Sequence, residues 1–432
     1  VFENTPWLEA QKQQNPDSPF VIVNNILIDA TGCTGDVIIP DGVTSISNSA
    51  FSECETITSV VIPEGVTSIG NNAFYKCTEL TNVTIPGSVT NIGNDAFFLC
   101  SKLVDITIPQ GVEIIGSSAF SKCELLKDIV IPDSVTSIGD YAFSGCKLLE
   151  NITIPESVTS IGKLAFSDTM WLTVHEVLDR LVIVNGILIN GRLSNNSVVI
   201  PDTVTRINDF AFISNTGITS VEIPDSVTTI GDGAFKYCTS LETVTIPDSV
   251  TEIENSAFLG CYKLKSVTLP DSLTKITNNT FNGCSGLKSV VIPDSITEIE
   301  PFAFKECEYL EDVYYAGTEE QWNAIAIDWY NEPLTSAVIH YNSTAPSCGD
   351  VNGNGVVDAS DAAQILLAAA SLGTGQNALN AFQMAASDVN QDGEINSIDA
   401  SIVLQYSAAA GTGAFNGDIK EYMRSVLNLE IT

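Results

Sequence analysis

Residues 63–85 read PEGVTSIGNNAFYKCTELTNVTI, and nearly everything before residue about 340 repeats, damages or caps this 23-residue unit. Prolines mark the register at 40, 63, 86, 109, 132 and 155, then at 201, 224, 247, 270 and 293. Even the wide interval from Pro155 to Pro201 is two periods. Counting from each proline, Val stands at plus 3, Ile at plus 6, Ala-Phe at plus 10 and 11, Cys at plus 14, Leu at plus 17, Val or Ile at plus 20 and Ile or Leu at plus 22. These columns point inward. Leu80-Thr81-Asn82-Val83-Thr84-Ile85 alternates at its end like a strand, proline stops the strand because it has no N–H, and Asp-Ser or Glu-Gly then turns the chain. Val-Thr-Ser-Ile-Gly is a second extended piece, and Ala-Phe-x-x-Cys is short enough for one helical turn.

A fixed short period argues for rungs that bury their apolar faces on one another, so 432 residues at 44% hydrophobic content imply a repeat array rather than several globular domains. The net charge of −35, from 53 acids against 18 Lys and Arg, speaks against nucleic acid and anionic membranes as partners. No run of 18 apolar residues suggests a membrane-inserted helix. Phe2-Glu3-Asn4-Thr5-Pro6-Trp7-Leu8 matches Phe166-Ser167-Asp168-Thr169-Met170-Trp171-Leu172 inside a repeat, which implies a start in mid-rung and a truncated N-terminus.

Nine of the eleven cysteines, Cys54, 77, 100, 123 and 146, then Cys238, 261, 284 and 307, obey the period and read as one buried apolar position. Rungs about 5 Å apart also leave disulfides within reach. Cys33 and Cys348 are out of register.

The repeat resembles the BspA-like class of leucine-rich repeats, found mainly in surface and secreted bacterial proteins, and the resemblance covers about 1–342. It implies a leucine-rich-repeat solenoid with short strands. The phenylalanine column runs through Phe51, 74, 97, 120, 143 and 166, then Phe212, 235, 258, 281 and 304, with Ile189 at the missing step. A longer symmetry overlies it: residues 182–189, VIVNGILI, repeat residues 21–28, VIVNNILI, at seven periods. Both variant rungs carry a tryptophan, Trp7 and Trp171, read as a packed non-standard loop or as an aromatic contact for a glycan. After Pro293 the array ends in a cap over about 309–342, with a helix start at Thr318-Glu319-Glu320 and a last strand at Ala337 to Tyr341. Residues 343–347 are a polar linker.

Two acidic loops follow, 38 residues apart: residues 350–361, DVNGNGVVDASD, and 388–399, DVNQDGEINSID. Asp350, Asn352, Asn354, Asp358 and Asp361, and likewise Asp388, Asn390, Asp392, Asn396 and Asp399, place oxygen side chains at positions 1, 3, 5, 9 and 12. Val356 and Glu394 offer backbone carbonyls at position 7, and Gly355 and Gly393 stand where an EF-hand-type loop turns sharply. A hard cation takes six to eight oxygens, so the spacing points to two Ca2+ ions. Each loop runs into a helix. This region, 348–432, resembles a dockerin, a small all-α calcium-dependent module that plugs secreted proteins into cohesins. The resemblance implies a cohesin module of a scaffoldin as partner, met through loop positions 10 and 11, Ala359, Ser360, Ser397 and Ile398, and the following helices, with Gln364 and Ile402.

For catalysis there are only His175 and His340, no nucleophile motif, no HExxH and no phosphate loop. The outward strand positions, such as Asn82 and Thr84, carry few anchors, Tyr314 being the one aromatic there. Tyr75, Phe98, Leu99 and Trp171 form a candidate contact edge for a protein or glycan ligand. A post-proline column of acids, including Asp202, Asp225, Asp248, Asp271 and Asp294, reads as a solvated ridge or a weak divalent-cation site. The sequence thus points to a non-catalytic component of an extracellular or cell-surface bacterial complex. The alternative is a fragment of a cellulosomal enzyme whose catalytic domain lies upstream.

Overall fold

The computed structural model describes residues 5–14, 18–343, 348–351, 356–373, 383, 386–391, 394–412, 414–415 and 418–427. The chain forms two compact units, residues 1–193 with 204–211, and residues 194–203 with 212–432.

In the first unit each rung contributes two short strands. One ladder joins Gly35–Ile38, Ile57–Val61, Asn82–Thr84 and Asp105–Ile106, all parallel, with Asp128–Val130 pairing Asn151–Thr153 further on. The other runs from Ser45–Ile46 to Ser160–Ile161 by single-period steps such as Ser45 to Ser68 and Ile46 to Ile69. Parallel pairing follows from the period: each strand repeats one turn of chain later in the same direction. Among the described residues only the opening rungs double back. Val21–Val23 pairs antiparallel with Ile26–Asp29, and Val182–Val184 with Ile187–Asn190. The first long ladder ends at Ser160–Ile161, and a new one starts at the second hairpin.

The second unit repeats this scheme. Asn196–Val199, Ile218–Glu222 and Thr243–Thr245 form one ladder, and Ser266–Thr268, Ser289–Ile292, Asp312–Tyr315 and Val338–Tyr341 another.

The core is the set of inward columns. The phenylalanines stack face to face, with centroids 4.8–5.8 Å apart from Phe51 to Phe166 and 4.9–5.6 Å apart from Phe212 to Phe304. Every column cysteine is a buried free thiol. From Cys77 onward, each donates to the carbonyl of the phenylalanine one rung back, for example Cys123 Sγ to Phe97 O at 3.2 Å and Cys284 Sγ to Phe258 O at 3.3 Å. Burial pushes Cys54, Cys238 and Cys307 up to about 12. The apolar reading therefore holds, and the thiol adds a hydrogen bond to it.

The expected helical turn at Ala-Phe-x-x-Cys is not one. Residues at plus 9 and plus 13 take left-handed conformations in successive rungs: Asn72 and Lys76, Asp95 and Leu99, Ser118 and Lys122, Tyr141 and Gly145. Non-glycine residues pay about 1–2 kcal/mol for this. The return is a third ladder. Asn72, Phe74 and Lys76 donate their N–H groups to the carbonyls of Asn94, Ala96 and Phe98 in the next rung. Rungs also approach closely at the glycine column: a Cβ on Gly116 would lie 2.6 Å from the carbonyl carbon of Gly93.

Both variant rungs hold a helix, α1 (Pro6–Gln14) and α2 (Met170–Asp179), the latter N-capped by Thr169. The array's last rung contains α3 (Glu319–Ala324), with a Thr318–Gln321 capping box, and α4 (Glu332–Ser336). After it come α5 (Ala359–Gly373), α6 (Ser397–Gly411) and α7 (Ile419–Ser425) around a separate core that includes Val351, Ile365, Val389, Val403 and Met423.

Candidate metal loops and contact surfaces

The last aspartate of each acidic loop is the local organiser. Asp361 is fully buried, and its two carboxylate oxygens accept from the N–H groups of Val351 and Asp358, both at 2.9 Å. Asp399 is equally buried and accepts from Val389 and Asn396 at 2.9 Å, and from Asn390 at 3.2 Å. Position 12 thus ties position 2 to position 9 and closes the loop. Position 9 starts the helix: Asp358 Oδ1 accepts from Ser360 N and Asn396 Oδ1 from Ile398 N, both at 2.7 Å. In α6 this makes a capping box of Asn396 and Asp399. The helices consequently begin two residues earlier than position 12.

These loops suit a hard divalent cation. Asp350 joins Asp361 in being buried. Burial, reinforced by the neighbouring Asp388 carboxylate, raises Asp399 above the usual carboxylate range against the pull of its three amides. Bonds from Ser360 hold Asp358 below that range. A dication beside Asp388 and Asp399 would relieve the repulsion between those two carboxylates. Asn352, Asn354 and Asp392 lie outside the described residues. Among the described residues no three His, Cys, Asp or Glu side chains gather into one cluster.

Of the proposed partner residues, Ala359, Ser360, Ser397 and Ile398 are exposed and Gln364 is half-buried. Ile402 is a correction: it is 3% exposed, within the helical core. Facing solvent instead are Leu366, Leu367 and Leu404. The 38-residue offset that aligns the loops also aligns Leu366 with Leu404, which was the available signal.

On the repeats, Tyr75 and Phe98 stack at 5.3 Å, with Lys76 and Lys122 over their rings at 5.1 and 5.6 Å, and Leu99 is half-buried beside them. Trp171 does not belong to that edge. It is buried against Phe166 at 5.1 Å, and its other neighbour is the His175 ring at 4.6 Å. With the phenylalanine column interrupted, the indole takes the place of the next ring. Tyr314 is likewise buried, stacked on His340 at 4.8 Å, so it offers no outward anchor. The acids Asp202, Asp225, Asp248, Asp271 and Asp294 are all exposed, as a solvated ridge requires.

A three-ladder array with stacked phenylalanines defines a class, and the family comparison agrees. The chain belongs to the BspA type leucine rich repeat family, whose profile matches residues 30–128, 114–185 and 183–311. A dockerin type I domain matches residues 348–406. Among solved structures, the chain is similar to a leucine rich cell surface protein from Faecalibacterium prausnitzii at 32% identity, over 72% of this chain and 96% of that one, with a TM-score of 0.44. A leucine-rich repeat protein from Eubacterium ventriosum is 28% identical over 65% and 73%, with a TM-score of 0.42. None of the curated proteins compared matches the chain. Neither matched family is catalytic, and dockerin type I domains are generally calcium-binding. No helix among the described residues is long and apolar enough to cross a membrane.

Proposed function

We propose that the chain is a non-catalytic component of an extracellular multi-protein complex, attached to a cohesin module of a scaffoldin by residues 348–432 while residues 1–342 present an interaction scaffold. The observation that carries this reading is the pair of buried aspartates, Asp361 and Asp399, each closing an acidic loop and setting the start of a helix. Two calcium ions, one per loop, are held through positions 1, 3, 5, 7, 9 and 12. Bound calcium fixes the loop, the loop fixes the helix start, and the helices carry the partner surface: Ala359, Ser360 and Gln364 with Leu366 and Leu367, and Ser397 and Ile398 with Leu404.

Binding to a panel of cohesins, measured by calorimetry with calcium and with a chelator, tests the assignment. Saturable, calcium-dependent binding to at least one cohesin is expected; no binding to any of them with calcium present defeats it. For the repeats, the stacked pair Tyr75 and Phe98 with Leu99 is the proposed contact edge for a protein, cell-surface or glycan ligand. A glycan array probed with wild-type chain and with Tyr75→Ala checks the glycan case.

A further inference from the structure

The ladder built on left-handed turns is broken at one step. In the rung at 164–168, the carbonyls of Lys163, Ala165 and Ser167 accept from Tyr141, Phe143 and Gly145 of the rung before, at 2.8–2.9 Å. The N–H groups of Leu164, Phe166 and Asp168 therefore lie on the opposite edge, facing the rung that follows. There α2 and the hairpin at 182–190 come between, and among the described residues none of these three N–H groups has an acceptor. Phe166 is buried, and buried backbone donors in native folds are almost always paired. One rung further on, Gly191 N donates to Ala211 O at 2.8 Å and the pairing resumes.

The broken step opens into a cavity of about 100 Å³, walled by residues 164–168 on one side and by α2 and the rung of Ile189 on the others. Three charged side chains line it: Arg192 and Asp168, both exposed, and Glu176, half-buried. None of the three is in an ion pair among the described residues. The buried amides in the wall are already engaged, since Asn190 Oδ1 accepts from Arg192 N at 3.0 Å and Asn208 Nδ2 donates to Ile161 O at 2.9 Å. The chemistry on offer is thus a row of backbone donors, one guanidinium and two carboxylates.

We propose that this cavity binds a small zwitterion of the α-amino acid class. Backbone donors in a row and a guanidinium call for an anionic acceptor. The carboxylates of Glu176 and Asp168 in the same wall penalise an anion that brings no positive charge of its own. A zwitterion meets both demands: its carboxylate accepts from the N–H row and from Arg192, its ammonium donates to Glu176 or Asp168, and its carbon skeleton lies against Leu172 and Ile189. Size sets the class as well. One water needs about 10–15 Å³ on this measure, so the space admits a molecule of several non-hydrogen atoms and excludes a glycan chain or a folded peptide.

Isothermal titration of the full chain, with calcium present, against the free amino acids tests the proposal, with acetate and methylammonium as probes carrying a single charge. Saturable binding of at least one amino acid, one per chain, is expected, and neither single-charge probe displaces it at equal concentration. Arg192→Gln and Glu176→Gln each weaken that binding about tenfold or more. Neither substituted side chain is buried, and unchanged circular dichroism of each variant separates loss of the site from loss of fold. Absence of binding by every amino acid overturns the proposal. Acetate binding as tightly as the amino acids reduces the cavity to an anion site and overturns the zwitterion, and a variant that binds like wild type overturns the placement of the ligand between Arg192 and Glu176.

Discussion

The repeats and the calcium-loop module are both built by duplication, yet they spread their stability differently. In the repeats, each inward position recurs about ten times, and a phenylalanine or thiol lost from one rung leaves the rest of its column in place. In the loop module there are two copies, and in each a single aspartate closes the loop. Repetition distributes stability in the first region and concentrates it in the second.

That contrast can be broken most directly by removing calcium. A chelator should abolish the thermal transition of residues 348–432 and leave the repeat transition unchanged, because a ligand present at 100–1,000 times its dissociation constant contributes about 2.7–4.1 kcal/mol. Asp399→Ala should mimic this even with calcium, since it strands three N–H groups at about 1–3 kcal/mol each. Differential scanning calorimetry reads both. Phe120→Ala, in mid-column, should lower repeat stability by about 3–5 kcal/mol in urea unfolding without touching the calcium-dependent transition.

Gly116→Ala sharpens the comparison by testing rung spacing, with an expected loss of about 1–3 kcal/mol by the same measurement. The thiol column gives a pH test. Burial raises Cys54, Cys238 and Cys307 to about 12, so the folded chain favours the neutral thiol; stability is full below pH 9, the ordinary thiol value, and falls as pH rises toward 12. Urea midpoints across that window check it. The smallest effect belongs to the exposed pairs one period apart: Lys102→Ala, which removes the 2.7 Å contact to Glu79, should cost under about 1 kcal/mol.

Most of the array was legible because a period of 23 converts one-dimensional spacing into columns, and columns into a core. Ala73, Phe74, Cys77 and Leu80 needed no further information. The left-handed turns were not legible: Asn72, Lys76, Asp95 and Leu99 share no residue type that demands positive φ, and the conformation is imposed by the neighbouring rung's carbonyls. α2 was not legible because the interval from Pro155 to Pro201 keeps the register, so the spacing does not mark where ten residues leave the repeat conformation; the burial of Trp171 decides for the packed reading of that rung. In the loops, spacing marked the oxygen-bearing positions but not that Asp361 and Asp399 also hold backbone amides. Ile402 failed because α6 is apolar around most of its circumference, so its spacing does not separate the core face from the contact face.

The two hairpins, Val21–Val23 with Ile26–Asp29 and Val182–Val184 with Ile187–Asn190, bear on how the chain folds. A hairpin is a local event, closing in about 1–10 μs, and later strands pair with the neighbouring rung, most of them across one period. Strand addition can therefore begin separately at Val21–Val23 and at Val182–Val184. With two starting points, folding time is set by the longer run of rungs and not by their total number, and a chain shortened to begin near residue 182 keeps a nucleus of its own.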